Sequence, residues 1–217
     1  MARKITGAIP LRVDFVRKGA MTIYPTLLCD GEHRILVDCG YPGSLPLLER
    51  ASADAGIPFS EITDVVITHH DYDHCGALAD VEEKYPRVRT MASGPDALVI
   101  EGKEKSVRLS QVQSVSGGLS EPERIRGDEI RAEFESMKPA RVDAVIEGGD
   151  VMPWCGGTEI IATPGHLPGH ISLFVRREKT VVTGDALVAR GGRLYAASSR
   201  YSFDAETARL SAKKLLR

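Results

Sequence analysis

A dense cluster of coordinating side chains follows an apolar run near residue 65. The stretch "VVITHHDYDHCGAL", residues 65–78, holds three of the chain's six histidines and two aspartates within six positions. Residues two apart in an extended segment point to the same side, so His69 and Asp71 are placed to bind one ion together. Burying so many ionisable groups without a cation would be costly, and a divalent ion removes that cost. The stretch therefore predicts a metal site.

The same cluster has a second interpretation. Asp71 or Asp73 can cap the helix that follows instead of binding an ion. His70 is expected to be a packed or exposed histidine, because its side chain should face away from its neighbours' ion. Asp73 and His74 are adjacent and would diverge as the helix begins, which suits a neighbouring ion or a bound water.

Two later segments carry the same kind of residue. In "TPGHLPGH", His166 and His170 follow a predicted strand across a turn rich in proline and glycine, which favours a fixed backbone shape. In "TGDAL", Asp185 ends an apolar strand, a place that helix capping also explains. Taken together, five of the six histidines fall where one pocket could collect them.

Strands and helices must alternate to position these residues. The metal cluster lies on a predicted strand-to-helix connection, where α/β proteins commonly place function. Residues 93–150 are polar with weaker apolar periodicity, and they predict a helical surface insertion or a lid that supplies substrate contacts. Apolar patterns and turn residues predict strands over 8–16, 21–30, 33–40, 61–68, 157–166, 170–178 and 179–189, and helices over 43–58, 73–86, 128–138 and 203–217.

The motifs "THHDYDH", "TPGHLPGH" and "TGDAL", in this order and spacing, resemble the metallo-β-lactamase superfamily of metallohydrolases. "ILVDCG", which contains Asp38, resembles an earlier strand-end signature of that family. The resemblance covers about residues 10–190. It implies an α/β fold, an αββα sandwich of two mixed sheets packed face to face with helices outside. It also implies a single domain over 1–217, with the insertion at about 93–150 and a dinuclear metal site at one edge of the sheets.

The resemblance assigns roles by position. Two divalent ions are implied, with zinc first and manganese or iron as alternatives. Three residues would lie outside the ligand set and orient it or its loops: Asp38, His70 and His170. The ligands would be His69, Asp71 and His166 for the first metal, Asp73 and His74 for the second, and Asp185 as a bridge.

Two departures from the family pattern stand out. The common motif is H-x-H-x-D-H, and here Asp71 replaces the second histidine, which makes the site harder and shifts its preference toward manganese or iron. Family members also generally place one more histidine on a late strand, and none follows His170. Either the C-terminal end is incomplete, or the protein gives the second metal only Asp73, His74 and Asp185.

The implied activity is a metal-dependent hydrolase. A metal-bound hydroxide would attack an ester, lactone, thioester or amide, and Asp73 would act catalytically by positioning the hydroxide and shuttling its proton. Candidates for the substrate pocket are Tyr72, Arg193 and Tyr195. The alternatives are an iron-dependent redox protein of the same fold, performing oxygen or sulfur chemistry, and a non-catalytic metal-binding protein.

Composition limits the kinds of molecule that the protein is expected to bind and the compartment in which it is expected to lie. A net charge of −2 gives no support for nucleic acid, and no apolar run approaches the roughly 20 residues that a membrane span needs. Four scattered cysteines and an N-terminus without signal-peptide features predict a cytoplasmic protein with reduced thiols. We expect a small-molecule substrate; the oligomeric state stays open, a homodimer among the alternatives.

Overall fold

A computed structural model describes residues 5–16, 20–114 and 120–217. Several short 3-10 turns connect the regular elements. In chain order these are β1 (Gly7–Pro10), β2 (Val13–Val16), β3 (Ala20–Ile23), β4 (Thr26–Cys29), β5 (Arg34–Val37), α1 (Leu45–Asp54), β6 (Asp64–Val66), α2 (Tyr72–Cys75), α3 (Leu78–Lys84), β7 (Arg89–Ala92), α4 (Gly94–Ile100), α5 (Val107–Ser114), α6 (Glu121–Ser136), β8 (Ala144–Val145), β9 (Val151–Met152), β10 (Thr158–Ala162), β11 (Ile171–Val175), β12 (Thr180–Val182), β13 (Leu187–Arg190), β14 (Arg193–Ala196) and α7 (Ala205–Leu215).

The described strands form two main sheets. The larger sheet has the order β1-β4-β5-β6-β7-β8, antiparallel as far as β5 and parallel from β5 to β8. The smaller sheet is antiparallel with the order β12-β11-β10-β9. Two hairpins, β2–β3 and β13–β14, pair separately. The parallel strands β5, β6 and β7 direct their carboxyl ends to one edge, where an α/β protein collects functional side chains.

Alternation along each strand divides the core in two. Leu28 and Val66 of the larger sheet pack with Ile160 and Leu173 of the smaller one. The neighbouring side chains of β4 and β6 point the opposite way and pack with residues of α1 and α3. Helix α7 packs against the turn after β10, where Ser211 donates a hydrogen bond to the Pro164 carbonyl at 2.7 Å. The layers are therefore those of the predicted αββα sandwich.

Helices α1 and α7 lie inside the ranges that the sequence predicts. Pro46 occupies the first turn of α1, where its missing N–H costs nothing. The Asp204 side chain caps α7 by accepting from the N–H groups of Glu206 and Thr207, both at 3.0 Å. Lys213 and Lys214 lie in the last turn, where positive charge complements the helix dipole.

Several element predictions are corrected by the structure. The predicted strands 8–16 and 21–30 each divide in two near prolines, Pro10 and Pro25, because proline has no N–H to donate to a ladder. The predicted insertion 93–150 contains helices α4–α6 but also β8, which extends the larger sheet. Its residues 115–119 lie outside the described residues. Strands β7 and β14 were not predicted.

Within the residues that the structure describes, we find no helix with both the length and the apolar character needed to cross a bilayer.

Candidate metal centre

The loop after β6 carries the first group of coordinating atoms. It leaves the sheet at Ile67, which donates to the Met91 carbonyl of β7, and it ends where Asp71 precedes α2. His166 comes from the turn after β10. Asp71 Oδ2 lies 3.0 Å from His166 Nε2 and 3.6 Å from His69 Nε2, and all three residues are buried. This set, His69, Asp71 and His166, is one of two groups in the described residues whose donor atoms converge closely enough for one ion.

The second group shares His69 and adds His74 and Asp185. One oxygen of Asp185 lies 3.2 Å from His74 Nε2, and its other oxygen lies 3.5 Å from His166 Nε2. The carboxylate therefore stands between the two groups and faces both. Asp73 belongs to neither group: its Oδ2 lies 3.9 Å from His74 Nε2, and its side chain is 30% exposed.

Hydrogen bonds on the Nδ1 side of two imidazoles leave the Nε2 atoms directed at these groups. Asp38 Oδ2 lies 2.8 Å from His74 Nδ1, and Thr68 Oγ1 lies 3.0 Å from His69 Nδ1. Thr68 Oγ1 in turn donates to Asp38 Oδ2 at 2.8 Å. A carboxylate or hydroxyl partner of this kind fixes the tautomer of a metal-binding histidine.

The donor set fits a divalent cation. His69 Nε2 is fully buried and has no hydrogen-bond partner in the described part of the chain, although it faces the carboxylates of Asp71 and Asp185. An unpartnered lone pair beside two carboxylates favours a bound cation, although Asp71 is also paired with Arg108 at 2.9 Å. Imidazole and carboxylate together suit zinc, manganese and iron.

The pKa shifts of His69 and Asp71 agree with that interpretation, whereas the shift of His74 favours a protonated ring, which has no free lone pair. Burial lowers the pKa of His69 well below its usual range, so the imidazole is neutral and its lone pair is available. Burial alone would raise the pKa of Asp71, but its hydrogen bond to His166 and the charge of Arg108 hold it well below the ordinary value. Burial alone would likewise lower the pKa of His74, but the charges of Asp38, Asp185 and Asp73 raise it well above the usual range.

His170 lies beside the second group and is hydrogen-bonded to the loop that carries Asp185. Its Nε2 accepts from the backbone N–H of Asp185 at 3.0 Å, so its Nδ1–H donates to Thr163 Oγ1 at 2.8 Å. Burial lowers the pKa of His170 to about 4, which keeps the ring in this neutral form. A Cβ on Gly184, whose φ is +50°, would approach His170 Nε2 to 2.7 Å, so glycine is required for this contact.

His70 points away from both groups. Its Nδ1 is hydrogen-bonded to Asp96, and its Nε2 lies 3.0 Å from Ser106 Oγ. The order Asp–His–Ser is that of a hydrolase triad. Ser106 is nevertheless only 3% exposed, and its Oγ accepts from the Arg108 N–H at 3.1 Å, which caps α5. His70 therefore connects the segment 93–150, through Asp96 and Ser106, to the loop after β6.

Two cavities open near the site. One of about 590 Å³ is lined by Asp38, Asp73, His74 and Asp185 together with residues of β3 and β12. Another of about 350 Å³ lies between the β2–β3 hairpin and α6, and Tyr72 lines it. Arg193 and Tyr195 lie on the exposed strand β14 and are not among the residues that line either cavity.

Arg108 and Thr68 were missed at the sequence level. Arg108 reaches Asp71 from α5, inside a polar region that carries no sequence signal for a buried charge. Thr68 precedes the histidine pair, and a threonine at a strand end is too common to indicate a role in a site. Ser106, Asp96 and Thr163 likewise carry no local pattern that separates them from surface residues.

An αββα sandwich with convergent histidines and aspartates at one edge of its sheets defines a class of proteins, the metal-dependent hydrolases of this fold. The model of one family, the metallo-beta-lactamase superfamily, matches residues 19–217. The chain belongs to this superfamily.

Individual relatives are distant. The uncharacterized protein YobT of Bacillus subtilis (strain 168) is 28% identical over 191 residues, which cover 84% of this chain and 72% of YobT. The probable metallo-hydrolase YflN of the same organism is 27% identical over 161 residues, 71% of this chain and 55% of YflN. A metallo-beta-lactamase family protein from Thermus thermophilus shares the fold with a TM-score of 0.69 at 21% identity, covering 97% of this chain and 67% of that one. The part of the chain that matches YflN spans about half of the length of YflN.

Proposed function

We propose that this protein is a hydrolase that binds two divalent ions, preferably zinc, and cleaves a small substrate at a carbonyl group. The observation that supports this most directly is the Asp185 carboxylate, whose two oxygens face His74 Nε2 at 3.2 Å and His166 Nε2 at 3.5 Å. A carboxylate that faces two groups of nitrogen ligands suits a bridge between two ions. The ester, lactone, thioester and amide classes all remain within the proposal.

Each ligand would have a defined part. His69, Asp71 and His166 would hold one ion, and His74 with Asp185 the other, with Asp73 as a further ligand. Divalent ions of this kind lower the pKa of a coordinated water to about 7 and polarise a carbonyl oxygen. Asp38 and Thr68 fix the imidazole rings, so the ligands need little reorganisation when an ion binds.

We propose that Asp73 transfers a proton during hydrolysis. Burial raises the pKa of Asp73 to about 6, with the charges of Asp185 and Asp71 acting in the same direction. A carboxyl group at this position can both accept and return a proton. Its Oδ2 is close to His74 and lines the larger cavity, so the proton can reach a leaving group there.

The larger cavity is the proposed substrate site. Its volume of about 590 Å³ falls within the range typical of small-molecule pockets. Asp73, His74 and Asp185 line it, and residues such as Ile23 and Val188 give it apolar walls. A substrate with an apolar group beside its carbonyl would place that group against these walls.

The test combines elemental analysis with turnover. We expect the purified full-length protein to contain close to two divalent ions and to hydrolyse at least one member of a panel of esters, lactones, thioesters and amides. His69→Asn and Asp185→Asn should each lose metal and turnover together. His33→Asn is the matched control, because His33 lies in the β4–β5 turn against Asp30 and far along the chain from the ligands.

The proposal would be abandoned if His69→Asn and His33→Asn retained the same metal content and the same rate. Metal binding that His69→Asn removes, combined with no turnover on any substrate, would instead support a non-catalytic metal-binding protein.

One observation favours a second function. His69, Asp71 and His166 form two histidines and one carboxylate, the set that non-haem iron enzymes use. An iron-dependent redox protein of the same fold would use this set for oxygen or sulfur chemistry. Anaerobic purification followed by metal analysis and oxygen-uptake assays separates the two: iron with oxygen consumption supports redox chemistry, and zinc or manganese with carbonyl turnover supports hydrolysis.

A further inference from the structure

A buried arginine contacts the first group of metal ligands. Arg108 Nη2 lies 2.9 Å from Asp71 Oδ2, its Nε lies 3.4 Å from Asp71 Oδ1, and the side chain is only 9% exposed. The same Nη2 lies 3.1 Å from His166 Nε2, a contact that is lost when this nitrogen binds an ion. A guanidinium and a carboxylate that meet through two nitrogens and two oxygens form the strongest kind of ion pair.

The remaining donors of Arg108 are engaged elsewhere. Nη1 donates to the Tyr201 carbonyl at 2.6 Å and to Gln111 Oε1 at 3.1 Å. All three guanidinium nitrogens therefore have partners within the protein. This arrangement argues against Arg108 as the binding group for an anionic substrate, since such a ligand would have to break buried hydrogen bonds.

The fold holds Arg108 in place through the metal loop itself. Ser106 Oγ accepts from the Arg108 N–H at 3.1 Å and lies 3.0 Å from His70 Nε2. His70 in turn donates its backbone N–H to Asp96 Oδ1 at 2.8 Å. His70 is the chain neighbour of both His69 and Asp71, so the loop that supplies the ligands also fixes the start of α5.

The charges of Asp71 and Arg108 suggest a role for this ion pair. Asp71 stands where the related motif has a neutral histidine, so the first site carries one extra negative charge. Arg108 adds one positive charge beside that carboxylate. In a buried setting, a charge this close to a ligand changes the affinity for an ion substantially, because screening by water is weak there.

We propose that Arg108 is a positioning residue whose guanidinium compensates the charge of Asp71, so that the pair replaces a neutral ligand at the first metal site. The proposal rests on the proposed function only in taking His69, Asp71 and His166 as a cation site. Arg108 lowers the net negative charge that the ion meets, keeps the ion a stronger Lewis acid, and fixes the orientation of the carboxylate.

A double-mutant cycle tests this pairing by metal affinity. Zn²⁺ and Co²⁺ affinities are measured on the metal-free full chain by competition with a chromogenic chelator. Asp71→His should bind at least about tenfold more weakly than wild type, because it leaves a buried cation unopposed. Adding Arg108→Gln to Asp71→His should restore affinity by at least about tenfold, since it removes that cation.

Single substitutions at Arg108 complete the cycle. Arg108→Gln alone should bind Zn²⁺ more tightly than wild type while turning over more slowly, with KM unchanged. Arg108→Lys should stay closer to wild type in affinity, because it keeps the charge. Its Co²⁺ absorption spectrum should shift, because lysine cannot contact both oxygens of Asp71. Arg124→Gln, at an exposed position of α6, controls for the change in net charge.

The results distinguish this inference from the proposed function. A wild-type protein that binds no metal would overturn both. Metal binding in which Asp71→His and Arg108→Gln add independently, or in which the double variant is the weakest of all, would overturn the compensation alone. A rise in KM for Arg108→Gln with unchanged metal affinity would also overturn it, because Arg108 would then bind substrate.

Discussion

Asp38 has a left-handed backbone, with φ of 63°, at the point where the chain leaves β5. From there its carboxylate accepts from Thr68 N at 2.8 Å and contacts His74 Nδ1 at 2.8 Å. Aspartate and asparagine tolerate this conformation better than most residues. One side chain thus links the loop after β6 to the ring of His74, a proposed ligand.

At this scale, Asp38→Asn tests the orientation of His74. Asparagine tolerates the left-handed backbone and keeps an oxygen acceptor, so the fold should survive, but the charge beside His74 is lost. We expect metal affinity or activity to fall about 10- to 100-fold. Chelator competition on folded protein measures it, with circular dichroism as the check on folding. Unchanged affinity would show that His74 needs no charged partner.

His170 makes a prediction about pH. The pKa of His170 is about 4 in the folded protein, below its unfolded value near 6.5, so its neutral form stabilises the fold above pH 6.5. This contribution is lost as the pH falls from about 6.5 to 4, because the unfolded chain binds the proton first. Between pH 7 and pH 5 the loss is about 2 kcal/mol.

The measurement is urea unfolding of the metal-free protein at pH 7 and pH 5. His170→Gln should be less stable than wild type at pH 7, and its loss of stability on acidification should be smaller by about 2 kcal/mol. His69 acts in the same direction in both proteins, so its contribution cancels in the comparison. Identical pH dependences would contradict the neutral, hydrogen-bonded assignment of His170.

At the scale of elements, α7 supports the loop that carries His166. The backbone N–H of Phe203 donates to the His166 carbonyl at 3.0 Å, and that of Asp204 donates to the Gly165 carbonyl at 2.9 Å. A Cβ on Gly165 would lie 2.0 Å from the Ala208 nitrogen of α7. The helix can therefore contact the loop only because position 165 has no side chain.

Gly165→Ala should displace α7 and weaken metal binding through His166. Gly149→Ala is a matched control, because Gly149 also has a positive φ, of 106°, but a Cβ there would meet nothing within 4 Å. We expect Gly149→Ala to cost about 1–2 kcal/mol from backbone strain alone. Gly165→Ala should cost clearly more in denaturant unfolding and should also lower metal affinity. Equal costs would mean that the contact with α7 is unimportant.

The sequence predicted some elements better than others for local reasons. Strand β6 and helix α7 carry strong signals, an apolar β-branched run and an aspartate cap before an amphipathic pattern. Strand β7, "RTMA", alternates weakly, and β8 has two exposed residues, so their place in the sheet depends on neighbours that are distant in the chain. Elements of this kind are set by tertiary packing.

Some residues of the candidate site could likewise be predicted from the sequence, and others could not. His69, Asp71, His166 and Asp185 were predicted as ligands because coordinating residues at strand ends are unusual, and the structure places their donor atoms close together. Arg108 could not be found, because its burial depends on the carbonyl of Tyr201, 93 residues further along the chain. An arginine in a polar helix looks solvated until the whole chain is folded around it.

At the scale of the whole molecule, the proposed metal ligands join segments that are otherwise far apart. The loop after β6, the turn after β10 and the segment after β12 each supply ligands, and their nitrogens and carboxylates converge from different layers of the sandwich. An ion that binds the folded chain and not the unfolded one stabilises the fold by mass action. The metal should therefore act as a structural link as well as a cofactor.

Metal removal should consequently destabilise the entire fold. At a free zinc concentration of 100 times Kd, the stabilisation is about 2.7 kcal/mol, which corresponds to about 5–10 °C in Tm for a chain of this size. Differential scanning calorimetry with chelator and with zinc measures the shift. His69→Asn should lose most of it, whereas His33→Asn should keep it in full. If chelator left the Tm of the wild-type protein unchanged at every zinc concentration, these ligands would not hold an ion that links the layers.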